Sequence, residues 1–536
     1  MFMNSFDNNL LSILIFLPML GALLVGVLPR AVSRTSALVI ALVNLALSVL
    51  LLLHWPANAA IVGTTSPSAA PAFEQYSPWL QAAGYGVTYH LGVDGISVFL
   101  ILLTTFLTPI VIVSSWTEIQ QRTKEFMVCL LLLEGTLVGV FSAIDVILFY
   151  IFWELVLVPM YLMIGVWGGP RRIYAGIKFF LYTMIGSVLM WIAMLYVLFQ
   201  QSPNNASFDY GAFKGAANFT DAHNPAAALW LFAAFALAFA IKVPLFPLHT
   251  WQPDAYEEAP TGGTVMLAAV LSKMGVYGFI RFAIPFFPSA ARVAAPLIIG
   301  LAITGIIYGA FVAVRQTDIK RLLAYSSISH LGFIMLGVFA SLLVADNNLS
   351  TIAMSGATIQ MLNHGISTGA LFLLVGMLYE RRQTNEISQY GGLMQVMPRY
   401  TVLFWIALFA SIGLPGLNGF VGEYLILQGS MAANFWYTAL AATGVIWGAV
   451  YMLRMFRSVM FGELTRDENR NVTDVNARET ALLVAALAFA VIIGVMPQPF
   501  LNIINPNAQS ITTMARAGGD AGLGARSARL NDMAGH

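Results

Sequence analysis

Apolar residues fall in long stretches along most of the chain, at 10–28, 36–53, 91–114, 126–143, 146–167, 176–199, 226–247, 262–285, 294–314, 322–344, 352–378, 400–428, 434–456 and 478–496. A helix rising ~1.5 Å per residue needs about 20 residues to cross a hydrocarbon core ~30 Å thick. The pattern therefore predicts an all-α polytopic membrane protein with about fourteen transmembrane helices. The run that follows Met1–Asn9 has no basic residues before it and reads as an uncleaved first span. Between the spans, 54–89 is Ala/Pro/Ser-rich without Lys or Arg, 200–225 is Asn- and Ala-rich, and the chain after Phe500 is rich in Gly, Ala, Asn and Arg. These read as polar connections and a mobile tail, without assigned chemistry.

Composition agrees: of 536 residues, 59% are hydrophobic and 10% charged, with mean hydropathy +0.78, too few charges to cover a soluble surface. The bilayer is thus the surrounding medium, and a net charge of +1 gives no reason to expect nucleic acid as a partner. The distribution of charge is more telling. Of 26 Lys and Arg, 18 follow odd-numbered spans, six lie on the other side (Lys214, Arg281, Arg292, Arg516, Arg526, Arg529) and two, Lys242 and Lys273, fall inside spans. By the positive-inside rule both termini should face away from the cytoplasm. A single cysteine, Cys129, excludes an intramolecular disulfide, a CxxC pair and a four-thiolate cluster. His249, His330 and His364 lack metal-ligand spacing, and no Walker loop is present. No cofactor or metal is expected in this chain.

The chemistry lies in ionisable groups within the spans, each costing roughly 2.5–3.5 kcal/mol on insertion scales. Lys273 stands ~18 Å from either end of its span, beyond a lysine's snorkelling reach. Lys242 precedes Pro244 and Pro247, which should deprive the carbonyls of Ala240 and Val243 of helical donors. Pro415 does the same for Ser411, among Gly413, Gly416, Gly419 and Gly422, just before Glu423. Two broken spans beside charges point to an ion pathway built from internal repeats. Glu154 lies 88 residues before Lys242, and His330 lies 93 before Glu423, on the fifth and seventh and then the tenth and twelfth spans. Gln360, Asn363, His364, Ser367 and Thr368 share one helical face, as do Ser326, Ser329 and His330, and such faces can hold a row of waters. Competing readings stand beside these. They are a snorkelling Lys242, arginine-paired Glu154, packing histidines, a capping Glu423, and polar stripes that glue helices together. Glu134 and Asp145 fit a structural role as well as a functional one.

The stretches FYIFWELVLVPMYLMIGVWGG, KVPLFPLHTWQPDAYEEAPTGGTVMLAAVLSKMGVYGFIRF, DIKRLLAYSSISHLGF and GLPGLNGFVGEYLIL resemble the antiporter-like membrane subunits of respiratory complex I, the proton-translocating NADH:quinone oxidoreductase, over roughly residues 90–460. The resemblance implies inverted five-helix repeats at 126–285 and 286–456, with broken seventh and twelfth helices. Residues 1–125 would precede the repeats; 457–499, with the last helix, and the tail 500–536 would follow. It also implies proton-transfer roles for Glu154, Lys242, Lys273, His330, His364 and Glu423, the histidine positions being the more variable in the family. The L- and N-type members tend to carry lysine where this chain has Glu423. Such subunits would be this chain's membrane neighbours, in an energy-coupling membrane such as the bacterial plasma membrane. NADH, FMN, iron–sulfur clusters and quinone would belong to partner subunits, the hydrophilic redox arm being an indirect partner. A Lys242–Glu154 pair at 4 Å would be worth about 4 kcal/mol at an effective dielectric of ~20. Moving one charge through about 150 mV costs a similar ~3.5 kcal/mol. The same helix pattern occurs in subunits of multi-subunit cation/proton antiporters and membrane-bound hydrogenases. A passive membrane scaffold is the alternative from another class, and a quinone-reducing subunit lacks a visible quinone site.

Overall fold

The computed structural model describes residues 8–56, 71–82, 84–202 and 206–534. Within them, thirteen helices are long and apolar enough to cross a membrane: Leu10–Val27, Arg30–Leu53, Ser97–Glu118, Thr123–Ser142, Val146–Trp167, Arg172–Phe199, Pro225–Lys242, Thr261–Phe286, Pro288–Val314, Ile319–Ser341, Asn347–Arg382, Phe435–Met460 and Ala477–Val495. The fourteenth expected crossing, twelfth in order, is made from two pieces, Pro398–Ser411 and Asn418–Met431. Each has 14 residues, or ~21 Å, too short to cross alone. Thirteen long helices and this divided pair match the fourteen helical stretches predicted from the hydrophobic pattern.

Four spans depart from a plain helix, each for a local reason. The seventh stops at Lys242 because neither Pro244 nor Pro247 can donate a backbone hydrogen bond. As expected, the Ala240 carbonyl has no helical donor at Pro244; Leu245 N, one residue further on, donates to it instead at 2.9 Å, and Trp251 Nε1 donates to Ile241 O at 2.9 Å. A short helix, Trp251–Glu258, continues the crossing. It is held by Lys178 on Asp254 (2.6 Å) and Arg321 on Glu257 (2.8 Å). The fifth span breaks at Val156, between Val146–Leu155 and Leu157–Trp167, where Pro159 offers no donor to the Leu155 carbonyl. The eighth contains two π-helical turns, Leu267–Leu271 and Phe279–Ala283. The twelfth is broken at Pro415, as expected.

Helices in hydrocarbon gain little from burying apolar surface against one another, so close packing of small residues matters more. The eleventh and twelfth spans show this. A Cβ at Gly429 would lie 2.5 Å from Ala353 N, and one at Gly356 would lie 2.7 Å from Ile426 N.

The basic residues that follow odd-numbered spans gather at one end of the bundle, here the basic end. At the other end the 54–89 connection contains a hairpin, β1 (Ala72–Ala82) antiparallel to β2 (Tyr85–Val93), with β3 (Ala206–Ser207) parallel to β2. This is the hairpin end; residues 57–70 and Met1–Asp7, and with them much of the expected loop and the start of the chain, lie outside the described residues. Asp145 anchors the hairpin to the fifth span, accepting from Ile147 N and Leu148 N and from Thr88 N and Oγ1. Its role is a structural cap.

Two expectations fail here. The segment after Phe500 is a helix, Gln498–Ala534, rather than a mobile tail. It buries Ile504, Ala508, Ile511 and Ala515, a helical stripe hidden among its glycines and asparagines. Arg281, counted above as a charge outside the spans, is 2% exposed inside the eighth.

At the hairpin end His90 is clasped between two carboxylates, with Nδ1 2.5 Å from Asp209 and Nε2 2.9 Å from Glu74. Burial alone would lower its pKa, but the two acids outweigh burial and hold it above the usual histidine value. A raised folded-state value stabilises the protein fully below about pH 6.5, and that contribution fades as pH climbs through the folded value. Purified protein should therefore melt at lower temperature as pH is raised above about 6.5, and H90Q should flatten that slope. Equal slopes in thermal melts of the two proteins would show that the clasp is not charged.

Candidate functional site

A row of ionisable and polar side chains runs through the middle of the bundle, beginning at Lys273. Its span, Thr261–Phe286, places it near the centre, and it is 0% exposed. A buried ammonium brings three donors that need acceptors. The π-helical turn Leu267–Leu271 supplies one of these. By shifting the hydrogen-bond ladder, such a turn lets a carbonyl bond outside it. The Ala268 carbonyl accepts from Lys273 Nζ at 2.6 Å and from Ser272 Oγ at 3.0 Å. The other two acceptors are Ser272 Oγ at 3.2 Å and His364 Nδ1 at 2.7 Å.

From His364 the row continues across the eleventh span. Its Nε2 is buried without a hydrogen-bond partner, and its ring centroid stands 5.6 Å from that of His330. Both histidines, with Gln360, Ser367, Thr368 and Ser411, line a cavity of about 10 Å³. That is close to the room one water needs. His330 Nδ1 then meets Glu423 Oε1 at 2.7 Å, and Gln360 Nε2 donates to the same oxygen at 3.3 Å. Glu423 is 4% exposed, and its backbone approaches Gln360 because residue 422 is glycine: a Cβ there would lie 2.2 Å from Gln360 Oε1. Lys273, His364, His330 and Glu423, far apart in sequence, thus form one chain with a single gap.

The polar stripe of the eleventh span both glues helices and lines this row. Asn363 Nδ2 donates to Asn418 O (2.8 Å), Asn418 Nδ2 to Asn363 O (3.0 Å), and Ser367 Oγ to Asn418 Oδ1 (3.0 Å). Asn418, the first residue of the second half-helix, was not singled out by sequence; its position just after the Pro415 break was the available signal. On the tenth span only His330 joins the row. Ser326 bonds the Tyr451 hydroxyl (2.8 Å) and Ser329 the Ile306 carbonyl (3.0 Å), so they serve packing instead.

The other expected pair is not formed. No ion pair within 4 Å joins Lys242 to Glu154, and neither Lys242 Nζ nor Glu154 Oε1 has a hydrogen-bond partner. Lys242 Nζ instead lies over the rings of Trp153 (5.1 Å) and Phe179 (5.7 Å). The neighbouring Trp153 occupies the space against the lysine, its indole held by Ser187 at 3.0 Å, and the aromatic faces supply cation–π attraction. Beside Lys273, on its basic-end side, the Tyr256 hydroxyl lies close to Gln252, Ser327 and Ser272, and Gln252 Nε2 donates to Ser327 Oγ at 3.3 Å. These residues were also missed. Glu134, fully buried, accepts from Asn44 Nδ2 at 2.9 Å and stands apart from the row. His249 packs between the rings of Phe246 and Tyr308, and no group of metal-ligating side chains occurs among the described residues.

Comparison with known proteins yields consistent matches. Residues 143–496 match the family described as NADH:quinone oxidoreductase/Mrp antiporter, TM, and residues 36–140 match NADH-ubiquinone oxidoreductase chain 4, amino terminus. NADH-quinone oxidoreductase subunit M of Rhodobacter capsulatus is 41% identical over 521 residues, covering 93% of this chain and 96% of that protein. A chain of respiratory complex I from Thermus thermophilus with bound NADH superposes with TM-score 0.82 at 34% identity, over 94% of this chain and 99% of that one. A chain of the membrane-bound sulfane sulfur reductase, an archaeal respiratory membrane complex, superposes with TM-score 0.77 at 25% identity, over 91% and 76%.

Asn418 makes a test of how the broken twelfth span is fastened. N418A keeps the main-chain carbonyl that Asn363 Nδ2 donates to, but it removes the bond to Asn363 O and the acceptor of Ser367 Oγ and Gly419 N, and should cost about 1–3 kcal/mol. Chemical denaturation of the purified protein reads this directly. A midpoint equal to that of the wild type would mean that other contacts hold the half-helix.

Proposed function

Since the chain belongs to the NADH:quinone oxidoreductase/Mrp antiporter family of membrane subunits, we propose that it moves protons through the row Lys273, His364, His330 and Glu423. It is a proton-translocating membrane subunit of respiratory complex I. The observation that carries the proposed route is the 2.7 Å contact of Lys273 with His364 Nδ1 and the 2.7 Å contact of His330 Nδ1 with Glu423.

Each imidazole can take a proton on one nitrogen and release one from the other. Lys273 gives a proton to Nδ1 of His364, and the unpartnered Nε2 passes one across the small cavity through a water to His330. His330 Nδ1 delivers it to Glu423, beside the break of the twelfth span. Lys242 and Glu154 form the loading side, on the seventh and fifth spans, where Lys242 Nζ and Glu154 Oε1 have no hydrogen-bond partner. A change in their separation supplies the switch: bringing the pair from apart to 4 Å is worth about 4 kcal/mol at an effective dielectric of ~20, comparable to raising a proton against the membrane potential. Gln252, Tyr256, Ser327 and Ser272 lie where a proton from the basic end would reach Lys273.

The two five-span units, 126–285 and 286–456, are read as inverted copies, supported by broken spans seven and twelve standing five crossings apart. The basic end is assigned to the cytoplasm of a bacterial plasma membrane, which puts both termini on the outer side. Energy comes from NADH oxidation and quinone reduction, with NADH, FMN, iron–sulfur clusters and quinone in partner subunits. L- and N-type subunits are assigned as membrane neighbours, and the redox arm is coupled indirectly.

In assembled complex, K273M and E423Q should each lower NADH-driven proton uptake into vesicles by about tenfold, with native gels showing the complex intact. K242A should lower it as well. Normal protons per NADH in either K273M or E423Q would remove that residue from the route.

A further inference from the structure

One buried ion pair takes no part in the row, yet shares a helix with Lys273. Arg281 and Asp94 pair through Nη2 and Oδ2, at 2% and 0% exposure. Asp94 stands at the head of the third span, where its Oδ1 accepts from Ile96 N (3.1 Å) and Ser97 N (3.2 Å). Arg281 Nε donates to the Tyr277 hydroxyl (3.3 Å), which donates to Phe141 O (3.2 Å). The Tyr210 hydroxyl donates to Arg281 O (2.9 Å), a carbonyl within the second π-helical turn. Lys273, Tyr277 and Arg281 follow at i, i+4 and i+8, so this cluster stands on the hairpin-end side of Lys273, ~12 Å along the helix.

We propose that the Arg281–Asp94 pair, with Tyr277 and Tyr210, is an electrostatic plug. It closes the hairpin end of the eighth span to protons, so that a proton on Lys273 can leave only sideways to His364. The proposal rests on the reading of Lys273 as a proton carrier. A proton relay needs groups that give up and regain a proton, and an arginine does not do so. A guanidinium keeps its proton at any working pH, while the carboxylate has its lone pairs engaged by two backbone amides and the arginine. A fixed cation in a narrow path also repels an approaching proton, as arginines do in pores that exclude protons. The surroundings complete the seal. Phe282 and Phe286 pack around Tyr210 with ring centroids 6.1 and 5.3 Å away. The C-terminal helix lies so close to the third span that a Cβ at Gly95 would fall 2.0 Å from Ile503 O.

A purely structural clamp would account for the pairing but not for its chemistry, and the two roles separate in a leak measurement. Vesicles containing the assembled complex, without NADH, are placed under a potassium diffusion potential, and passive proton entry is followed with a pH dye. The double variant D94N/R281M removes both charges and leaves no lone ion. It should raise proton entry by about tenfold and lower protons pumped per NADH, while NADH oxidation continues undiminished. Adding K273M should abolish that leak, because the escaping proton leaves from Lys273. If the double variant does not assemble, R281K keeps the pair but replaces a group that never titrates with one that does, and should show a smaller leak of the same Lys273 dependence. Tight, fully coupled vesicles from an assembled variant would overturn the plug, as would a leak that persists with K273M. Failure of the underlying reading looks different: K273M alone would then pump normally.

Discussion

A polar group in hydrocarbon has only the protein itself to satisfy it, and the three bonds of Lys273 show how much structure that demands. The Ala268 carbonyl is available because the helix widens into a π-turn one step before it would reach the lysine. His364 is within reach because a stripe of small and polar residues lets the eleventh span approach. The lysine's needs thus account for the first irregular turn of the eighth span and for one member of the polar face of the eleventh. The surrounding bundle can be understood as the framework that keeps those three acceptors in place.

The two broken spans answer the same constraint in different ways. Each proline leaves a carbonyl without its helical donor, and each break is fastened by hydrogen bonds made outside the regular helical ladder. At the seventh span the repair comes from just downstream, through Leu245 N and the Trp251 indole. At the twelfth the half-helix beyond the break is tied to a neighbouring helix, with Asn418 and Asn363 exchanging side-chain and main-chain bonds. The interruptions are therefore firmly held rather than loose. Lys242 and Glu423 gain positions beside irregular backbone without a floppy chain around them. The difference between the two sites follows: Glu423 is fixed to His330, while Lys242 rests on aromatic faces with no fixed polar partner.

In the route and plug proposed above, the chain separates what moves protons from what must not. Titratable groups follow one another sideways through the middle of the bundle, whereas toward the hairpin end of the eighth span stand an arginine, a saturated carboxylate and a layer of rings. A conductor needs insulation as much as contacts, and on this proposal the same helix provides both. Asp145 and Glu134 show that burial of an acid is not by itself a sign of conduction, since one caps a helix and the other is bonded to Asn44 away from the row.

Much of this was legible in the order of residues. Fourteen crossings, the clustering of basic side chains at one end, the two proline breaks and the depth of Lys273 are local properties, set by runs of hydrophobicity, by prolines lacking a donor and by the rise of a helix. Glu154, Lys242, Lys273, His330, His364 and Glu423 could be named for the same reason, because a charge within an apolar run is conspicuous by itself. Which of them touch is another matter. The contacts of Lys273 with His364 and of His330 with Glu423, the separation of Lys242 from Glu154, the burial of Arg281 against Asp94 and the docking of the C-terminal helix join residues tens to hundreds of positions apart. A one-dimensional pattern carries no distance between helices, and only their packing decides which polar heads share a dry interior.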